Sequence, residues 1–196
     1  MEAALNYLLT QQNSLPPGVT TLEQFRCVLE ELWFRNSDGF KNVFVGEKNA
    51  HDYTGFHNWY QFLLEQQRNP PQTTNICFKQ PPQLPGFVEN RLPYFLRDLS
   101  FTWRGVTKVP AGSSSSMFVG TSPDFDLAMF TTCVLMGRQG GGVVQGNRRR
   151  TDCRCNIQTA VPYVQAAGLP PSQVEFRTVE DTQNMRVVTA YPTNVQ

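Results

Sequence analysis

The chain has 196 residues, of which 40% are hydrophobic, 12% aromatic and only 17% charged, a composition that belongs to folded globular chains and excludes disordered, fibrous and coiled-coil ones. Lys and Arg total 17 against 16 Asp and Glu, a formal charge of +1, so a globally basic nucleic-acid binder and an acidic-tail protein are both excluded, and any polyanion site has to be local. No apolar run approaches the about 20 residues needed to cross a bilayer. The start, Met1 to Thr10, lacks both the basic region and the uninterrupted apolar stretch of a signal peptide. The expectation is a soluble chain without a membrane partner, with an intracellular location favoured.

Leu5, Leu8 and Leu9 suggest a short first helix, stopped by Ser14-Leu-Pro-Pro-Gly18 because proline cannot continue a helix and glycine relieves the turn. Leu22, Phe25, Val28, Leu29, Leu32 and Trp33 then recur at three- and four-residue steps on one helical face. Thr21 and Gln24 have the spacing of a capping box at its start, and the two helices form a hairpin. Phe40 to Gly46 is short, β-branched and aromatic, which predicts a strand entering a polar loop. A third helix follows, with Phe56, Tyr60, Leu63 and Leu64 on one face and a stop at Asn69-Pro-Pro71. Residues 70–85 read as an extended Pro- and Gln-rich excursion around a short strand at Ile76 to Phe78.

Leu99 to Arg104 alternates apolar and polar residues with period two, as a half-buried antiparallel strand does. A partner strand is expected at Met117 to Gly120. Ser122-Pro123-Asp124 combines an N-cap, a proline in the first turn and an acid, which announces a helix through Met136. Val143 to Gln145, Cys155 to Thr159, Val174 to Thr178 and Arg186 to Tyr191 look like strands of a closing sheet. Helices first and a mostly antiparallel sheet afterwards make the fold class α+β.

Five cysteines (Cys27, Cys77, Cys133, Cys153 and Cys155) form no CxxC pair, and the expectation is buried, reduced thiols. Cys153 and Cys155 flanking Arg154 could pair for redox or metal chemistry, but one CxC without histidines is a weak signal. Arg148, Arg149 and Arg150 with Arg154 form one basic cluster; it reads as a solvated strand end before it reads as a phosphate contact. Only two histidines exist, His51 and His57, in no metal-ligand spacing. Neither a phosphate-binding Walker loop nor a serine-hydrolase elbow is present.

Asp38-Gly-Phe-Lys-Asn-Val-Phe-Val-Gly-Glu47, Thr54-Gly-Phe-His-Asn-Trp-Tyr-Gln-Phe62, Phe101-Thr-Trp103 with Lys108, Phe118-Val-Gly-Thr-Ser-Pro-Asp-Phe-Asp126 and Thr189-Ala-Tyr-Pro192 together resemble, in order, the EndoU (XendoU-type) family of poly(U)-specific endoribonucleases. The resemblance spans about Thr20 to Pro192. It implies one EndoU-like domain over 1–196, with residues 1–37 as a shortened helical lobe, 38–196 as the catalytic-type core, and a groove between helical and sheet parts. It also implies single-stranded, uridine-containing RNA as the substrate, 2′,3′-cyclic phosphate ends as the product and a possible use of manganese. The shortened lobe raises the expectation of a protein partner or larger assembly that covers apolar surface.

Attack of a ribose 2′-hydroxyl on its own phosphate needs a base, an acid for the departing 5′-oxygen and a cation for the crowded phosphorane. By resemblance His57 is the general base and Lys108 the cation. Thr189 and Tyr191 lie at the uridine, Gly112 and Ser113 contact it, and Glu47 is the supporting acid. Plainer readings stand beside these: a loop lysine, a core tyrosine and a turn acid. Where the family reads Phe-Glu-His-Val-Phe, this chain reads Phe40-Lys-Asn-Val-Phe44, so Asn42 replaces the first catalytic histidine. An amide cannot donate a proton near neutral pH. Two readings follow: an RNA-binding domain impaired in catalysis, or an inactive pseudoenzyme serving as a structural or interaction subunit. His51 could stand in for the missing histidine if its loop folds over the site. Ser113 sits one residue later than the family spacing, so its contact with the base is doubtful.

Overall fold

The computed structural model describes residues 1–11, 13–35, 39–78, 96–108, 115–156 and 173–194. Helix α1 (Glu2–Thr10) is followed by α2 (Leu22–Leu29). The capping box at Thr21 forms as its spacing predicts: the Thr21 hydroxyl accepts from Gln24 N, and the Gln24 amide oxygen accepts from Thr21 N. After Leu29 the helix widens into a π-helical turn, Glu30–Phe34, which keeps Leu32 and Trp33 pointed into the core. The buried Trp33 indole N–H donates to Thr131 Oγ1 at 2.9 Å, tying this hairpin to the long helix opposite.

Residues 41–45 differ from the strand that the sequence suggested. Lys41–Val45 is a second π-helical turn, with Val43 and Phe44 buried in the main core. Its β-branched and aromatic content predicts a strand only when no tertiary surface competes. Here Phe44 stacks at 4.8 Å on Phe40 and packs edge-on against Trp33 and Phe130. The turn also frees the carbonyls of Asn42 and Val43 to accept from the backbone of residues 56 and 57.

A small hairpin, β1 (Glu47–Lys48) and β2 (Tyr53–Thr54), leads into α3 (Trp59–Gln66). Its inward side is not the expected one. Tyr60 and Leu64 are exposed, whereas Phe62 and Glu65 are buried. A carboxylate can occupy that inner face because Trp103, Arg104 and Arg68 all donate to it. The first sheet follows: β3 (Thr73–Phe78), β4 (Leu96–Trp103) and β5 (Val106–Thr107) in that order, with β6 (Ser115–Phe118) also on β4, all antiparallel. The alternation along β4 holds, since Leu99, Phe101 and Trp103 face inward and form, with Tyr53, Phe56, Phe62 and Met117, the second hydrophobic cluster.

Helix α4 (Pro123–Gly137) starts where its N-cap predicts, with the Ser122 hydroxyl accepting from Phe125 N. A four-stranded antiparallel sheet closes the chain in the order β10 (Arg186–Asn194), β9 (Gln173–Asp181), β8 (Arg148–Asn156), β7 (Val143–Gln145). Its inner face, through Val174, Phe176, Val187 and Ala190, packs with α4, α2 and the π-helical turns in the main core. The class is therefore α+β, as the sequence predicts.

The cysteines depart from expectation. Cys133 of α4 and Cys153 of β8 form a disulfide with Cα atoms 5.7 Å apart, Cys27 and Cys77 are exposed, and Cys155 is half-buried. Cys153 faces the helix and Cys155 lies two residues on along the strand, so the CxC pair does not close on itself. In the basic cluster, Arg150 pairs with Asp152 and Arg154 with Glu175, while Arg149 Nε is buried without a hydrogen-bond partner among the described residues. No helix among the described residues is long and apolar enough to cross a membrane.

Candidate active site

His57 lies at the seam between the two hydrophobic clusters, one residue before the Asn58 that caps α3. Its backbone N–H donates to Val43 O at 2.8 Å, and the preceding Phe56 N–H donates to Asn42 O at 2.9 Å. These two bonds fasten the entry of α3 to the π-helical turn. Gly55 makes that approach possible: its φ is +66°, and a Cβ there would fall 2.6 Å from the Asn42 carbonyl carbon and closer still to both Asn42 oxygens.

The His57 ring is fixed on two sides. Nδ1 lies 2.9 Å from the carbonyl oxygen of Ser116 on β6; a carbonyl only accepts, so Nδ1 carries the proton and Nε2 keeps a free lone pair. The ring of Tyr191 stacks on the imidazole at 5.0 Å between centroids. Burial, helped by the nearby Lys108 charge and opposed by the Ser116 carbonyl, holds His57 down to about 3. It is a neutral imidazole at pH 7, the form that can take a proton.

Lys108, just after β5, donates to Gly55 O and to Ser115 Oγ, both at 3.0 Å, and its ammonium stands 5.6 Å from the Tyr53 ring centre. Burial lowers it to about 8, against the pull of Asp52 and Asp98, so it remains mostly cationic at neutral pH. A neutral base and a partly desolvated cation thus share one strand-to-helix junction. A cation with little water around it stabilises developing negative charge more strongly than one in bulk solvent.

The other sequence-predicted residues divide. Asn42 is beside this junction, and its Nδ2 donates to Val188 O at 2.9 Å. Its Oδ1 is buried without a hydrogen-bond partner among the described residues. Thr189 is half-buried next to Val188, past an irregularity in the β9–β10 register, and Tyr191 opposes Arg177, whose guanidinium lies 6.0 Å from the tyrosine ring centre. Glu47 pairs with Lys41 at 2.5 Å. His51 is exposed at the tip of the β1–β2 hairpin, where its backbone N–H donates to Asn49 Oδ1. Gly112 and Ser113 lie outside the described residues.

Sequence reasoning missed three contributors. Ser116 sets the His57 tautomer through its backbone, which no side-chain pattern reveals. Ser115 supplies the hydroxyl on Lys108, and the run Ser113 to Ser116 is the only signal that could have pointed to it. Asp126 is almost fully buried and accepts from Asn58 Nδ2 at 3.0 Å and from Thr121 Oγ1 at 2.8 Å. Burial, against those two hydrogen bonds, raises its carboxyl to about 7. Through Asn58 it braces the α3 cap next to His57.

Among the described residues, no three His, Cys, Asp or Glu side chains converge to hold a metal ion. The charged group beside His57 is a lysine, which a divalent cation would repel. These residues do not fit a manganese site.

Residues 1–169 match the family model described as endoribonuclease XendoU. The chain is similar to poly(U)-specific endoribonuclease-A of Xenopus laevis, 31% identical over 150 residues, which cover 71% of this chain and 47% of that protein. It is also similar to uridylate-specific endoribonuclease C of Danio rerio, 33% identical over 146 residues, covering 69% of this chain and 43% of the other. The solved structure of XendoU, described as a splicing-independent snoRNA processing endoribonuclease, superposes with a TM-score of 0.61 at 26% identity, covering 100% of this chain and 63% of that one. The chain spans about half the length of the curated relatives it matches. With the family model matched over most of its length and its fold shared with XendoU, the chain belongs to the XendoU endoribonuclease family.

Proposed function

We propose that this chain binds single-stranded, uridine-containing RNA at the His57–Lys108–Tyr191 junction and cleaves it slowly, by transfer to 2′,3′-cyclic phosphate ends. The observation that carries this reading is the pairing of a neutral imidazole, whose Nδ1 is committed to Ser116 O, with a partly desolvated Lys108 two backbone residues away at Gly55 O. In the reaction His57 Nε2 takes the 2′-hydroxyl proton and O2′ bonds to phosphorus. The P–O5′ bond then breaks, and the departing oxygen takes a proton from water because Asn42 has none to give; the hydroxide left behind is neutralised by the proton held on His57, which restores the neutral imidazole. Lys108 offsets the negative charge that builds on the phosphorane. Thr189 and Tyr191 contact the base; Gly112 and Ser113, assigned there by the resemblance, lie outside the described residues. Glu47, engaged by Lys41, supports the loop.

A second reading, an inactive module acting in a larger assembly, draws on one feature. The Asn42 amide tethers the turn to Val188 O, which is a structural task. A cleavage assay on a fluorescent uridine-containing RNA separates the two, comparing the natural chain with Asn42→His and His57→Ala. The first reading expects slow cleavage that His57→Ala abolishes and that Asn42→His raises by about 10²- to 10⁴-fold. It is refuted if the natural chain and Asn42→His neither bind nor cut the RNA, which leaves the second.

A further inference from the structure

Away from His57, the end of α3 and the β4–β5 turn border an open, shallow cavity of about 520 Å³ lined by Arg68, Asn69, Gln72 and Arg104. Its walls are polar, and both cations are anchored from beneath. Glu65 has no exposed surface. Its Oε1 accepts from Arg68 Nε at 3.0 Å and Arg104 Nη2 at 2.8 Å, while its Oε2 accepts from Arg104 Nε and Trp103 Nε1, both at 2.9 Å. The Arg104 backbone is pinned as well, its N–H donating to Gln72 O at 2.7 Å.

Two guanidiniums on one carboxylate leave a surplus positive charge at the cavity. Both side chains are substantially exposed, 57% for Arg68 and 42% for Arg104. Arg68 commits only its Nε, and Arg104 leaves Nη1 uncommitted, among the described residues. Such fixed, outward N–H groups suit a tetrahedral oxyanion, because a held guanidinium loses little conformational freedom on binding. Asn69 and Gln72 add neutral amide groups that can donate beside them. Among the described residues, no acidic side chain lines the cavity.

The cavity is joined to the cleavage junction by packed rings. The Arg104 guanidinium is 5.0 Å from the Trp103 ring, Trp103 is 5.8 Å from Tyr53, and Tyr53 is 5.6 Å from the Lys108 ammonium. The rings of Trp103 and Tyr53 are buried, so the cavity and the junction flank one aromatic cluster, and a strand that reaches both has to run over the surface above it. We infer that the Arg68–Arg104 cavity binds a backbone phosphodiester of an RNA strand whose reacting nucleotide lies at His57. The inference rests on the proposed RNA-binding reading and adds to it a second, sequence-independent anchor that lengthens the footprint.

The test uses fluorescence anisotropy on the full chain with oligouridylates made uncleavable by 2′-O-methylation, one of about 4 nucleotides and one of about 16. Arg68→Ala removes one cation but leaves the Trp103–Glu65–Arg104 bonds. Gln72→Glu places a carboxylate in the cavity while keeping the backbone bonds of residue 72. Lys108→Gln serves as the control at the cleavage junction, and melting curves check the fold of each variant. The expected result is that both cavity variants weaken the long oligomer about tenfold and leave the short one unchanged. Arg68→Ala also lowers the salt slope for the long oligomer by about 0.7, one phosphate contact.

If the long oligomer binds no tighter than the short one and neither cavity variant changes it, the inference is overturned while the RNA-binding reading stands. If Lys108→Gln leaves both oligomers unaffected but the cavity variants weaken the long one, the reading of the cleavage junction fails and the anion site survives. Failure of the natural chain to bind either oligomer overturns both.

Discussion

Gly55→Ala should damage this protein far more than an ordinary left-handed glycine substitution. Gly18 provides the control, since its φ is +85° and nothing lies within 4 Å of a Cβ placed there. Gly18→Ala therefore carries only the backbone cost of a non-glycine residue in the left-handed region, about 1–2 kcal/mol. Gly55→Ala carries the same cost at φ +66° and adds the collision with Asn42. To relieve it, the 42–45 turn and the 55–57 segment must separate, which breaks Phe56 N–H to Asn42 O and His57 N–H to Val43 O. Each lost hydrogen bond costs about 1 kcal/mol, more if the groups stay buried. The sum is about 3–4 kcal/mol, a large part of the stability of a typical domain.

For a chain of this size each kcal/mol moves Tm by about 2–4 °C. Thermal unfolding should thus show a loss of about 2–8 °C for Gly18→Ala and about 6–16 °C for Gly55→Ala. The His57 imidazole resonance, followed by NMR against pH, should also titrate at higher pH in Gly55→Ala, because separation of the segments rehydrates the ring. Equal melting losses for the two variants, with an unshifted His57 titration, would refute the argument that Gly55 is required by the close approach of Asn42.

The pH dependence of stability combines two opposed groups. His57 is held down to about 3 when folded, so unfolding takes up a proton between about pH 3 and 6.5, and its contribution rises with pH across that window and is complete above it. Asp126 is raised to about 7, so its contribution is full below about pH 4 and declines as pH rises towards 7. Between about pH 4 and 6.5 the two slopes cancel. Asp126→Asn, which can still accept from Asn58 and donate to Thr121, should expose a stability that climbs with pH in that range, and His57→Gln one that falls; urea titrations at successive pH values that show parallel curves for both variants and the natural chain would contradict the assignment. Reduction of Cys133–Cys153, which closes a loop of sequence separation 20, should cost about 3 kcal/mol and lower Tm by about 6–12 °C, measured with and without a thiol reductant. A Cys133→Ala/Cys153→Ala chain that melts at the same temperature as the oxidised protein would contradict the stabilising role of that bridge.

The sequence by itself determined what is local or repeats at short range. The Thr21 and Ser122 caps, the alternation of β4, the closing strands at 143–145, 174–178 and 186–191 and the α+β class all follow from neighbours within a few residues, whereas the strand expected at 155–159 lies earlier, at Arg148–Asn156. His57 and Lys108 were legible as candidates through their motifs. What tertiary structure decided is everything that depends on a partner far along the chain. Residues 41–45 have strand-like content yet coil into a π-helical turn, because Val43 and Phe44 gain more from the core and the carbonyls of residues 42 and 43 gain N–H partners at 56 and 57.

Glu65 occupies the inner face of α3 in place of Tyr60 and Leu64 for the same reason, since Trp103 and Arg104, almost forty residues away, supply the donors that a buried carboxylate needs. Cys133 finds Cys153 only when β8 is laid beside α4. The His57 tautomer, and with it the nitrogen free to act as a base, is set by a backbone carbonyl on β6. A carbonyl is common to every residue type, so no sequence pattern could have marked Ser116 as its source.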